Sequence, residues 1–134
     1  MAADGIPSPM DRLEQKLIEA VRQEFRRLRR EVDFALPDQV LDQLRCGSTR
    51  RGTFFSCKKN CQEPTFNPHH HVLRKFLQSP SKSRADLYFL LSAVYSVLNR
   101  ADPDIEDHHE REFHAKILEE LLNGKSAGRW TEAE

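Results

Sequence analysis

Between Leu13 and Val32 the large apolar residues Leu13, Leu17, Val21, Phe25, Leu28 and Val32 recur at spacings of 4, 4, 4, 3 and 4. That is the period of an α-helix, and it paints one continuous apolar stripe. A chain carrying such a stripe must bury it against other elements, so it predicts a domain built by lateral packing of helices. The stripe has marked ends. Ser8 reads as an N-cap, Pro9 suits the first helical position, and Asp11 sits three residues after the cap. Pro37 stops the helix, because the residue before a proline is pushed out of the α region.

The same reasoning places further helices. Asp38 to about Arg45 is a short one, with Val40, Leu41 and Leu44 inward. Asn67-Pro68 opens another over His69 to Gln78, ended by Ser79-Pro80. Ser83 and Asp86 read as a capping box for a helix to about Arg100. In that helix Leu87, Tyr88, Phe89, Leu90, Leu91, Val94, Tyr95, Val97 and Leu98 leave almost no polar face. A helix apolar all round is central in a bundle, or partly covered by a partner. Asp102-Pro103 restarts a helix after a very short turn, so the last two helices should form an antiparallel hairpin. Gly124 is a natural residue just past the end of the final helix.

Between these lies Cys46 to Asn67, rich in turn formers: Gly47, Gly52, Asn60 and Pro64. It reads as one long irregular loop, with Thr53-Phe54-Phe55 a brief extended segment. The expectation is an all-α fold: a compact bundle of four or five helices with an irregular loop at 46–67 and an αα-hairpin at the C-terminal end. Residues 1–7 are expected to be a disordered lead, 8–124 one helical domain and 125–134 a flexible tail.

The 21 basic and 21 acidic side chains cancel, but they are segregated. Arg45 to Arg84 holds nine Lys/Arg against one acid, whereas Ala101 to Glu134 holds ten acids against four bases. The middle of the chain is cationic and its last third anionic. Three cysteines, an odd number, and no N-terminal apolar segment point to a reducing compartment, cytoplasmic or nuclear. The longest apolar-rich run, Ala85 to Leu98, is too short for a bilayer, which needs about 20 residues.

Four constellations bear on chemistry. Cys46, Cys57 and Cys61 with one of the His69 to His71 run supply the donors of a closed structural zinc site. The ten residues between Cys46 and Cys57 match no familiar finger spacing. His109 to His114 resembles a zinc-protease pattern, but the two histidines are five residues apart and point about 140° from each other on a helix. That arrangement cannot share a metal. Arg26, Arg27, Arg29 and Arg30 form a cationic run on the first helix, with Glu19, Glu24, Glu31 and Asp33 within a turn to pair with them. Finally, Arg50, Arg51, Lys58 and Lys59, with Phe54, Phe55 and Phe66 interleaved and Arg74 and Lys75 following, could meet a nucleic acid. Ser8 and Ser79, each before a proline at a helix boundary, are expected to be exposed.

No phosphate loop, nucleophile elbow or paired-carboxylate arrangement is visible. The expectation is therefore a non-enzymatic protein-interaction module, an adaptor or a small subunit of an intracellular assembly. It would bind a protein partner through apolar helix faces: Leu17, Val21, Phe25, Leu28, Tyr88 and Tyr95. The alternative is a zinc-stabilised nucleic-acid-binding domain using segment 45–84, with Arg50, Arg51, Lys58, Lys59, Arg74 and Lys75 on the anion and Cys46, Cys57, Cys61 and His69 on the metal. The first reading needs no cofactor and the second needs structural zinc. Neither involves a membrane.

Overall fold

A computed structural model describes residues 9–124 and 127–131. Five α-helices run in chain order: α1 (Pro9–Glu31), α2 (Asp38–Asp42), α3 (His71–Gln78), α4 (Arg84–Ala101) and α5 (Asp107–Leu122). Three short strands, β1 (Arg45–Cys46), β2 (Phe55–Lys58) and β3 (Gln62–Phe66), form a mixed sheet in the order β1-β3-β2. The all-α expectation is thus corrected. The segment 46–67 contributes to a sheet rather than forming a loop. The bound expected at Ser8 and the lead at 1–7 lie outside the described residues.

The sheet pairs both ways. β1 runs parallel to β3, with Arg45 opposite Thr65 and Cys46 opposite Phe66. β2 runs antiparallel to β3, with Phe55 opposite Phe66, and the register shifts between Ser56 and Lys58. Asn60 at φ 60° and Cys61 at φ 60° turn the chain from β2 into β3. Positive φ is unfavourable for most side chains, and asparagine is among the few that tolerate it. Thr65 ties the strands further: its hydroxyl accepts from Arg45 Nε at 3.1 Å and donates to the Glu63 carbonyl at 2.8 Å.

One face of this sheet drives Phe55 and Phe66 into the core, 4.8 Å apart between ring centres. α4 lies across it and against α1 and α5, which explains its lack of a polar face. Leu87, Tyr88, Leu90, Leu91, Val94, Tyr95 and Leu98 are all buried. Around Tyr95 the rings of Phe25, Phe34 and Phe113 gather at centroid separations from 4.6 to 6.4 Å. The Tyr95 hydroxyl donates to the Ala35 carbonyl at 2.6 Å.

Helix ends depart from the expected caps. Asn67 accepts from the His69 amide at 3.0 Å, but α3 begins only at His71. His70 is its cap, and its Nδ1 accepts from the Val72 amide at 3.2 Å. Ser83 makes no side-chain cap; it pairs instead with Arg129 in an isolated antiparallel bridge. α5 starts at Asp107 and not at the expected Asp102-Pro103, because Asp102 caps the end of α4 and the capping box lies between Glu106 and His109.

The segment 127–131, expected to be part of a free tail, returns to the body. The Trp130 amide donates to the Lys82 carbonyl at 2.8 Å, and the Arg84 amide to the Gly128 carbonyl at 3.0 Å. The Trp130 ring is buried and stacks on Phe76 at 5.2 Å.

Candidate functional site

The six apolar residues expected to meet a partner do not reach the surface. Leu17, Val21, Phe25, Leu28, Tyr88 and Tyr95 are all buried in the core. The stripe on α1 is consumed by α3 and α4, so those assignments are corrected from interface to core.

The cysteines divide into two places. Cys46 lies on β1 near Glu14, and burial pushes its thiol up to about 12. Cys57 and Cys61 lie within hydrogen-bonding reach of each other at the β2–β3 turn. Cys61 is buried and its Sγ approaches the Leu98 carbonyl at 3.5 Å. Among the described residues no three His, Cys, Asp or Glu side chains are gathered to hold one ion. His69 is exposed in the turn before α3, while the Nδ1 of its neighbour His70 is committed to the helix cap.

The cationic set is exposed but not unified. Arg50 and Arg51 occupy a 3₁₀ turn before β2, whereas Lys58 ends β2 and Lys59 opens the turn after it. Arg74 and Lys75 are exposed on α3. Lys58 pairs with Glu63 at 3.3 Å. Phe55 and Phe66 are buried and Phe54 is half-buried against His70, so the aromatics anchor the sheet instead of presenting faces for bases.

Two arrangements were not visible in the sequence. The first is a charged network where α1, α4 and α5 meet. Arg27 bonds Glu24 at 3.0 Å, Glu31 at 3.0 Å, the Tyr88 hydroxyl at 2.8 Å and Glu120 at 2.8 Å. Arg84 reaches Glu24 at 3.3 Å, and Lys116 reaches Glu31 at 2.8 Å and Glu120 at 3.3 Å. Burial, reinforced by the Glu24 charge, pushes the Tyr88 phenol up to about 12. The Tyr88 phenol therefore offers no proton near neutral pH. The pairs of Arg27 with Glu24 and Glu31 lie within a turn and were expected; Tyr88, Arg84, Lys116 and Glu120 join from far along the chain, which is why periodicity could not find the network.

The second is the seam of the α4–α5 hairpin. Ser92 Oγ lies 3.1 Å from His114 Nδ1, and His114 Nε2 lies 2.9 Å from Glu110. Ser96 donates to Glu110 at 2.6 Å, and Asn99 also bonds it. Serine, histidine and carboxylate in line have the parts of a nucleophilic triad. The surroundings do not support one. Ser92 sits inside a helix, where neighbouring backbone N–H groups are spent on the helix ladder, so no oxyanion donor faces it. The seam reads as an interhelical latch.

Above this latch the surface turns apolar. One turn from Ser92 stands Phe89, and one turn from His114 stands Leu118, followed by Leu122. They are 62%, 57% and 78% exposed. Among the described residues Val72 is the one other exposed large apolar side chain, and it lies on α3. Exposed Ala93 and Ala115 extend the same outer face, and exposed Asp86, Glu112 and Glu119 stand near it. Compared with protein-family models, curated proteins and solved structures, the chain matches none. No helix among the described residues is long and apolar enough to cross a membrane.

Proposed function

We propose that this chain is a non-enzymatic protein-interaction module, an adaptor or small subunit of an intracellular assembly, and that the outer face of the α4–α5 hairpin is its docking surface. The observation that carries this is the concentration of Phe89, Leu118 and Leu122 on one hairpin, while the apolar stripe of α1 is used internally. Grouped exposed apolar residues with a polar rim are the mark of an interface. The occupant that fits is an amphipathic helix of a partner protein, laying two or three large apolar side chains between α4 and α5. Its flanks should carry Lys or Arg where they meet exposed Asp86, Glu112 and Glu119, and an acid where they meet exposed Arg111, one turn from Ala115.

The test uses the full chain beside Phe89→Ser/Leu122→Ser, with the thermal unfolding of both measured. These positions are exposed, so the fold should persist within about 0.5 kcal/mol per site. Extract proteins retained by the wild type and lost from the variant should contain a basic amphipathic segment. A synthetic peptide of that segment should bind the wild type alone. Equal retention by both proteins, or none by the wild type, would refute the surface. Wild-type dimerisation abolished by the variant would replace the heterologous helix with a second copy.

A further inference from the structure

The geometry points to a second binding site, for an acidic peptide segment, in the groove between α1, the start of α4 and the returning residues Trp130 and Thr131. The groove encloses about 960 Å³. Its walls carry Lys16, Arg26, Arg27, Arg30 and Arg84 against Glu19 and Glu24. Arg26 also pairs with Asp42, and Arg27 with Glu31 and Glu120, so Lys16 and Arg30 are the charges left for a ligand.

Three features make this a site for an anion rather than a solvated face. First, Lys16 and Arg30 are exposed and have no ion pair among the described residues, although most other α1 arginines do. They lie 14 positions apart in sequence. At 1.5 Å per residue that is about 21 Å along one face of α1, the reach of an extended segment of about six residues. Second, two donors in the wall are enclosed and have no acceptor among the described residues: the indole Nε1 of Trp130 and Nε of Arg84. Trp130 is 95% buried, being 5% exposed. Donors left without a partner destabilise a fold, and a ligand carboxylate admitted by a small tilt of the indole would supply the acceptor. Third, Ala20, Leu87 and the Trp130 ring give the groove an apolar floor between its charges.

That floor, and Glu19 in the wall, select a peptide over a nucleic acid. A phosphate backbone carries charge at every step and would meet Glu19 in the groove, whereas a peptide can set carboxylates against Lys16 and Arg30 and an apolar side chain between them. This surface differs in chemistry from the apolar α4–α5 face and does not depend on it.

The experiment titrates a peptide of glutamates flanking a central leucine into the full chain, with an oligothymidine of equal charge in parallel. Trp130 is the chain's one tryptophan, so its fluorescence reports the site directly. The peptide should shift that emission with a dissociation constant that rises with salt. Lys16→Glu/Arg30→Glu, both exposed, should weaken binding by roughly tenfold or more. Trp130→Phe keeps a ring on Phe76 but removes the donor, and should weaken binding about fivefold, read by anisotropy of a labelled peptide. Binding unchanged in both variants, or no peptide binding at millimolar concentration in low salt, overturns the proposal. Tighter binding of the oligothymidine with the same variant dependence overturns the peptide assignment in favour of nucleic acid.

Discussion

Glu110 has the most telling environment of any single residue. Its carboxylate accepts from Ser96, Asn99 and His114 together, and these bonds, led by Ser96, lower its pKa from the ordinary 4.5 to about 2 against the opposing effect of burial. A folded pKa below the unfolded one means that the unfolded chain binds more protons as the solution is acidified. The stabilisation is therefore complete above about pH 4.5 and is lost as pH falls toward 2. Glu110→Gln should lower stability at pH 7 by about 1.5–3 kcal/mol and flatten the acid limb of a denaturation curve. An identical acid limb would show that the latch contributes nothing. The cysteines give a second prediction. Hydrogen bonding from Cys61 lowers the Cys57 thiol, and Cys57 is the more exposed of the pair. Cys57 should therefore react first with iodoacetamide at pH 8, with Cys46 and Cys61 slower by roughly tenfold or more. Mass spectrometry of the tryptic peptides gives the order.

Among the elements, those with period were legible. α1, α3 and α4 begin and end within a few residues of where prolines and apolar spacing place them, and the apolar surround of α4 announced its central position. The Leu91 side chain is fully buried there. Leu91→Ala should cost about 2–5 kcal/mol, and Leu90→Ala, at the margin of the core, less. The strands were hidden for physical reasons. β1 has two residues, and β3 reads Gln62-Glu63-Pro64 before its two apolar-facing positions, a sequence with poor strand propensity. Its stability comes from Phe66 packing and from pairing with Arg45 and Cys46, which no local pattern reveals. Had 46–67 been a loop, Phe66→Ala would matter little. As a core strand residue it should cost about 3–5 kcal/mol in chemical denaturation.

At the scale of the molecule, α1, α4 and α5 are joined by charge as well as by apolar contact. Removing the Arg27 guanidinium would leave buried Glu24 to Arg84 and Tyr88, and buried Glu120 to Lys116. Arg27→Ala should therefore cost about 3–5 kcal/mol, and Arg27→Ala/Glu24→Gln/Glu120→Gln should recover part of it. No recovery in a urea titration would mean that the arginine stabilises by packing alone. The candidate surface was partly legible too. Phe89 stands on a helix whose sequence leaves almost no polar face, and periodicity cannot say which side of such a helix its neighbours cover.

Tyr95 and the three rings around it come from α4, α1, the stretch after α1 and α5, at 4.6 to 6.4 Å. In so close a packing a phenyl ring cannot rotate by half a turn unless its neighbours draw back. Each flip of Phe25, Phe34 or Phe113 is thus a brief dilation of the whole domain. Magnetic resonance of those rings under pressure would time that breathing and give the volume it requires.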